Sequence, residues 1–151
     1  MQKIKVEIKK LLHGGDLPFP DYITAHSAGM DLYAALDDFV ILNPFERLLI
    51  PTGIVIAIPN GFEGQIRPRS GLAVKYGITV LNSPGTIDSD YRGEVGVCLI
   101  NLGNRPYEIR RRDRIAQILV APVSWVIWSN TEEFYMEKTD RNKGGFGSSG
   151  R

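Results

Sequence analysis

Polar and apolar residues alternate strictly over 3–8, and short apolar, β-branched-rich runs recur from there to position 128. Alternation puts one set of side chains on each face of a pleated strand and marks half-buried β-structure. Segments 3–8, 31–34, 39–42, 47–50, 54–58, 62–67, 78–81, 95–100, 107–109 and 123–128 are short and rich in β-branched or aromatic residues, and each is expected to be a strand. Turn residues punctuate them: Asn43-Pro44, Pro51-Thr52-Gly53, Pro59-Asn60-Gly61 and Gly103-Asn104-Arg105-Pro106. Many short strands at close spacing predict an all-β sandwich or barrel. Two segments have helical features. Ser70 to Gly77 starts on a residue suited to an N-cap and stops on glycine, which predicts one or two helical turns. Segment 114–120 carries Ile115, Ile118 and Leu119 at helical spacing, but its β-branched content and Pro122 favour a strand. After Trp128 the pattern ends. Segment 129–140 is polar, and 141–151 is rich in glycine and serine around one aromatic, Phe146. The organisation expected is a single β domain over 1–128, then a C-terminal arm and flexible glycine-rich tail over 129–151.

Composition narrows the partners. A chain of 151 residues, 43% hydrophobic and 23% charged, fits one globular domain. A formal net charge of +1 supplies no long-range field toward nucleic acid or membrane, so anion binding falls to local arginines. No window approaches the ~20 apolar residues that span a bilayer, and the N-terminus alternates charged with apolar residues instead of forming a signal peptide. A cytoplasmic location is expected. The single cysteine, Cys98, excludes an internal disulfide framework and is expected in the core. His13 and His26 have no metal-ligand spacing.

Several segments carry candidate chemistry. The first is 82–94, a hairpin or loop with Pro84 and Gly85 at one end and Gly93 at the other. It presents Asn82, two carboxylates (Asp88 and Asp90) and the ring of Tyr91, a set suited to gripping a small polar molecule, or is a solvated turn with incidental charges. In Arg67-Pro68-Arg69-Ser70-Gly71, a guanidinium and a hydroxyl meet the start of a short helix, which fits a phosphate cradle or an ordinary cap. The tail Arg141-Asn142-Lys143-Gly144-Gly145-Phe146-Gly147-Ser148-Ser149-Gly150 lets backbone N–H groups approach a polyphosphate, or is a linker. In Arg114-Ile115-Ala116-Gln117 a polar Gln among apolar neighbours needs a partner. In a regular strand Arg114 and Ala116 face one way, and Ile115 and Gln117 the other. Asp31, in Ala28-Gly29-Met30-Asp31-Leu32, is a turn-stabilising carboxylate or the holder of a hydrated metal.

Taken in order, Ala28 to Leu32, Pro68 to Ala73, Gly85 to Gly93, Arg114 to Gln117 and Gly144 to Ser148 closely resemble the five motifs of the trimeric dUTPases. Only the tail departs from the pattern, with Asn142 and Ser149 where the family usually has Gly and Thr. The resemblance implies a distorted jelly-roll-like β-barrel or sandwich, assembled as a homotrimer with active sites shared between subunits. It implies hydrolysis of dUTP to dUMP and pyrophosphate with Mg²⁺, which removes dUTP and supplies dUMP for dTTP synthesis. Asp88 would activate the water that attacks the α-phosphorus. Arg69, Ser70, Gly71 and the catalytic-site Gln117 would hold the phosphates. Asp31 would touch the magnesium water shell. Asn82 and backbone groups near Ile87 and Gly96 would read uracil, with Thr86 among the substrate contacts. Tyr91 would lie under the deoxyribose and exclude a 2′-hydroxyl. From the tail, Arg141, Gly147 and Ser148 would clamp the γ end and Phe146 would stack on the base. Asp90 is expected to be a turn residue. A dCTP deaminase of the same fold and a non-enzymatic nucleotide-binding jelly roll are the competing readings.

Overall fold

The computed structural model describes residues 3–130 and 144–145. Among these residues, ten strands form two four-stranded antiparallel sheets and a two-stranded ribbon. The first sheet has the order β1 (Glu7–Lys10), β4 (Arg47–Ala57), β8 (Glu94–Asn101), β6 (Ile78–Val80). The second has β2 (Met30–Tyr33), β10 (Arg114–Pro122), β5 (Phe62–Arg67), β7 (Gly85–Ile87). β3 (Val40–Leu42) pairs with β9 (Tyr107–Ile109). This is the jelly-roll-like β fold, with open sheets that do not close into a barrel. No helix among the described residues is long and apolar enough to cross a membrane.

The core lies between the sheets and follows the alternation. On β8, Val95, Val97, Leu99 and Asn101 are buried while their neighbours are half-buried on the opposite face. Cys98 is one of those neighbours, opposite Leu49, so it lies outside the core expected for it.

Four other expectations change. Segments 47–50 and 54–58 are one strand, because β4 runs through Pro51 with a register shift between Pro51 and Val55. Proline is tolerated there since β1 pairs only with Ile54 to Ala57, so no strand faces the missing N–H. The 3–8 strand begins at Glu7 instead. Segment 123–128 has no strand partner among the described residues: the Val123 N–H donates to the Gly61 carbonyl at 3.0 Å, and 124–128 lie exposed. The helix α1 (Ser70–Tyr76) starts one residue earlier than its sequence implies: Arg69 is the N-cap, with an extended backbone, and Ser70 is the first helical residue. Gly77 closes α1 in the left-handed conformation at φ 72°.

The segment between β6 and β8 positions much of the site. β6 and β8 pair directly, Val80 opposite Leu99. Between them the chain crosses to the other sheet, where β7 pairs with β5. Residues 81–93 therefore straddle the edge where the two sheets meet.

Candidate active site

Asp88 follows β7 and opens a turn closed by the Tyr91 N–H donating to the Asp88 carbonyl at 3.1 Å. Arg92 Nη1 caps the same turn, donating to the Ser89 and Tyr91 carbonyls. The Tyr91 ring lies across Gly93, where a Cβ would stand 2.3 Å from the Tyr91 hydroxyl oxygen. Any other residue at 93 would displace the ring. A hollow of about 150 Å³ results, lined by Thr86, Ile87, Asp88, Tyr91, Glu94, Val95 and Gly96. Five of the residues singled out from the sequence therefore share one small cavity. Asn82 does not line it; its amide lies against Gly85, where a Cβ would be 3.0 Å from Nδ2. The Asp88 carboxylate is exposed and makes no hydrogen bond among the described residues.

A second cluster forms around Asp31. This carboxylate, with only 4% of its side chain exposed, accepts from Arg69 Nε at 3.0 Å and from Arg114 Nη1 at 3.1 Å. Arg69 Nη1 also donates to the Arg114 carbonyl at 3.1 Å. Two of the five N–H donors of Arg69 are used in these contacts. Beside it, the Leu72 and Ala73 N–H groups both donate to the Arg69 carbonyl, which leaves the Ser70 and Gly71 amides facing outward. Nothing lies within 4 Å of the Cβ position of Gly71.

Gln117 joins this cluster through β10, opposite Asp31 on β2 and Arg67 on β5. It lines an open hollow with Ser27, Ala28, Gly29, Arg67 and Pro68. A Cβ on Gly29 would be 3.5 Å from Gln117 Oε1, so glycine there leaves the amide room. A register shift between Arg114 and Ala116 breaks the strict alternation. Ile115 and Ala116 are consecutively buried, and Arg114 and Gln117 are not. Strict alternation would turn Arg114 away from Gln117, and the shift removes that separation.

Asp31 is not free to ligate a metal directly. Both its oxygens hold guanidinium groups, and only one lone pair per oxygen remains beside two positive charges. That donor set fits contact through water to an ion carried by an anionic ligand. Among the described residues no other His, Cys, Asp or Glu cluster could hold a metal.

The clusters lie far apart within one chain. Gly64 on β5 pairs with Ile87, so Asp88 stands level with Glu63, whereas Gln117 stands level with Arg67. At ~3.3 Å per residue the separation along β5 is about 13 Å, and Arg69 lies further on. Arg141, Phe146, Gly147 and Ser148 lie outside the described residues.

A family model described as dUTPase matches residues 16–150. The chain belongs to the dUTPase family. A deoxyuridine 5'-triphosphate nucleotidohydrolase of Wolbachia pipientis subsp. Culex pipiens (strain wPip) is 80% identical over 149 residues, covering 99% of this chain and 97% of its own. Among solved structures, a Staphylococcus bacteriophage 80alpha dUTPase with dUpNHpp matches with a TM-score of 0.82 and 26% identity, over 99% of this chain and 100% of that one. A dUTPase from phage phi11 of S. aureus, described with a structural Mg(II) ion, shares the fold at a TM-score of 0.76 and 23% identity, over 88% of this chain and 100% of that one. The dUTPase match spans both clusters, from Asp31 through Gln117.

Proposed function

We propose that this dUTPase cleaves dUTP in a site assembled from more than one subunit, with Asp88 as the general base. The reaction is hydrolysis of dUTP to dUMP and pyrophosphate, at the nucleotide pyrophosphate bond. Asp88 takes a proton from water. The water oxygen forms a bond to the α-phosphorus while the bond from that phosphorus to the bridging oxygen breaks. Pyrophosphate leaves with that oxygen and its electron pair. Uracil enters the hollow beside Tyr91, read by backbone groups near Ile87 and Gly96 with Thr86 among the contacts, while Asn82 reaches its edge from beside Gly85 and Tyr91 lies under the deoxyribose. Arg69, Ser70, the Gly71 N–H and Gln117 hold the phosphates by charge-assisted hydrogen bonds. Asp31 would face the hydration shell of a Mg²⁺ ion chelated by the triphosphate, and that ion would supply charge neutralisation on the phosphates. Residues 129–151 form the arm and tail, whose Arg141, Gly147 and Ser148 clamp the γ end and whose Phe146 covers the base.

The carrying observation is the separation along β5. A base on the attacking water and the donors on the neighbouring phosphates must act on one triphosphate. Within one chain Asp88 and Arg69 sit at opposite ends of a strand, so the cradle of one subunit meets the acid of another. Apolar surface left uncovered among the described residues supports a closed assembly of three. Gly96, Cys98 and Ile100 make the outer face of β8 as apolar as its inner face, and Leu49 beside them is 72% exposed. Trp125, Val126, Ile127 and Trp128 follow in an extended run, with Trp128 89% exposed.

The test is pyrophosphate release from dUTP and from UTP by the wild-type chain and by Tyr91→Ala. The expected result is strong preference for dUTP, and a fall in the dUTP-to-UTP ratio of kcat/KM of about tenfold or more in the variant. An unchanged ratio would place sugar selection outside the Tyr91 hollow.

A further inference from the structure

Tyr91 is fixed by a chain of contacts that leads away from the hollow. Its hydroxyl donates to the Glu94 carbonyl at 2.9 Å. The Glu94 side chain ties down that same residue, since its Oε1 accepts from the Gly53 N–H at 2.7 Å and lies 2.8 Å from His13 Nε2. The next carbonyl, that of Val95, accepts from the Thr52 hydroxyl. Thr52 and Gly53 belong to the irregular stretch of β4, where the ladder to β8 shifts register.

The His13 end is equally constrained. Gly14 packs backbone to backbone on Gly53; a Cβ on Gly14 would lie 2.4 Å from the Gly53 carbonyl oxygen. The Leu11 N–H donates to that oxygen at 2.8 Å. On the other side Arg111 Nη2 donates to the His13 carbonyl at 2.7 Å and pairs with Asp16. The Arg111 hydrogen bond holds the Asp16 carboxyl below the usual carboxylate range. Segment 11–16 is thus clamped between the bend of β4 and the turn before β10, and the imidazole it carries reaches Glu94, 81 residues away in sequence.

The His13 and Glu94 side chains are 35% and 29% exposed, and a pair that is partly in water contributes little to stability. Its consequence is geometric. A hydroxyl is excluded by shape only while the ring that blocks it cannot yield, and a small shift admits it. We propose that Glu94, held by His13 and the Gly53 N–H, is a specificity-determining positioning residue that keeps Tyr91 against the sugar and so enforces selection of the deoxynucleotide. The inference rests on the reading that Tyr91 selects the sugar.

The experiment compares kcat/KM for dUTP and UTP, with melting temperature, in full-length Glu94→Ala, Glu94→Gln, His13→Ala and Tyr91→Ala. Losing the Glu94 acceptor should lower the dUTP-to-UTP ratio about fivefold, the scale of one hydrogen bond, chiefly by raising UTP turnover. His13→Ala should lower it by a smaller factor. Glu94→Gln keeps an oxygen for both donors and should restore the ratio. A purely structural role predicts a lower melting temperature and equal losses on both substrates, with the ratio unchanged; that result overturns the proposal. If Glu94→Ala does not fold, His13→Ala decides by the same ratio. A ratio lowered by Tyr91→Ala but untouched by Glu94→Ala and His13→Ala refutes the positioning role alone. A ratio untouched by Tyr91→Ala refutes the sugar-selection reading and this inference with it.

Discussion

Asp88→Asn is expected to lower kcat for dUTP about a thousandfold, within the range a positioned general base contributes. The amide keeps the size and the lone pair on oxygen but cannot accept the proton of the attacking water. Binding should change little, because the base, sugar and phosphates are held by other groups. Stability should also be unchanged, since the Asp88 carboxylate is exposed and unpaired among the described residues. Single-turnover kinetics with a fluorescent nucleotide and a thermal melt separate these effects. Hydrolysis within tenfold of wild type would remove Asp88 from the chemistry.

Asp31→Asn is expected to cost both stability and activity. The carboxylate is almost fully buried and is the common partner of Arg69 and Arg114. Removing one partner of a buried ion pair leaves charge uncompensated. Both arginines reach solvent, with 25% and 47% of their side chains exposed, so the loss sits near the low end, about 2 kcal/mol. For a chain of this size that corresponds to roughly 6 °C in melting temperature. The activity effect should be larger. Arg69 is aimed by Asp31, and freeing it misplaces the guanidinium by an ångström or more, enough for about a hundredfold loss in kcat/KM. Calorimetry together with steady-state kinetics checks both. An unchanged melting temperature with unchanged kcat/KM would mean that the triad does not organise the phosphate cradle.

Much of this was legible in the chain. β-branched and aromatic content placed strands at β8 and β5, and turn residues marked most of the strand ends, but which face of β8 forms the core was not read, since Cys98 was expected there. The acidic turn at Asp88 and the start of α1 at Arg69 and Ser70 were visible as local chemistry. What could not be read depends on pairing partners. The register shift at Arg114 is set by β2, not by the residues of β10 themselves. The passage of β4 through Pro51 depends on how far β1 extends. Residues 123–128 have strand composition but pair with no strand among the described residues, so composition alone does not place them. The contact between His13 and Glu94 joins a short 3₁₀ turn, Leu12–Gly14, and a strand end, and no periodicity links them. The motif order was likewise visible while its distribution was not, because β5 holds its two functional ends apart only once β7 and β10 are paired to it.

The division of the active site between subunits is tested most directly by complementation. Asp88→Asn chains keep the cradle; Arg69→Ala chains keep the acid. Each variant alone should be nearly inactive. The two are unfolded and refolded together in equal amounts, mixed assemblies are confirmed by native mass spectrometry, and pyrophosphate release from dUTP is measured. If Asp88 and Arg69 of one site come from different chains, about a quarter of the sites in randomly mixed closed assemblies combine both intact groups, and activity returns to about a quarter of wild type. If both come from one chain, every site lacks one of them, and activity at the level of the separate variants would contradict the shared site.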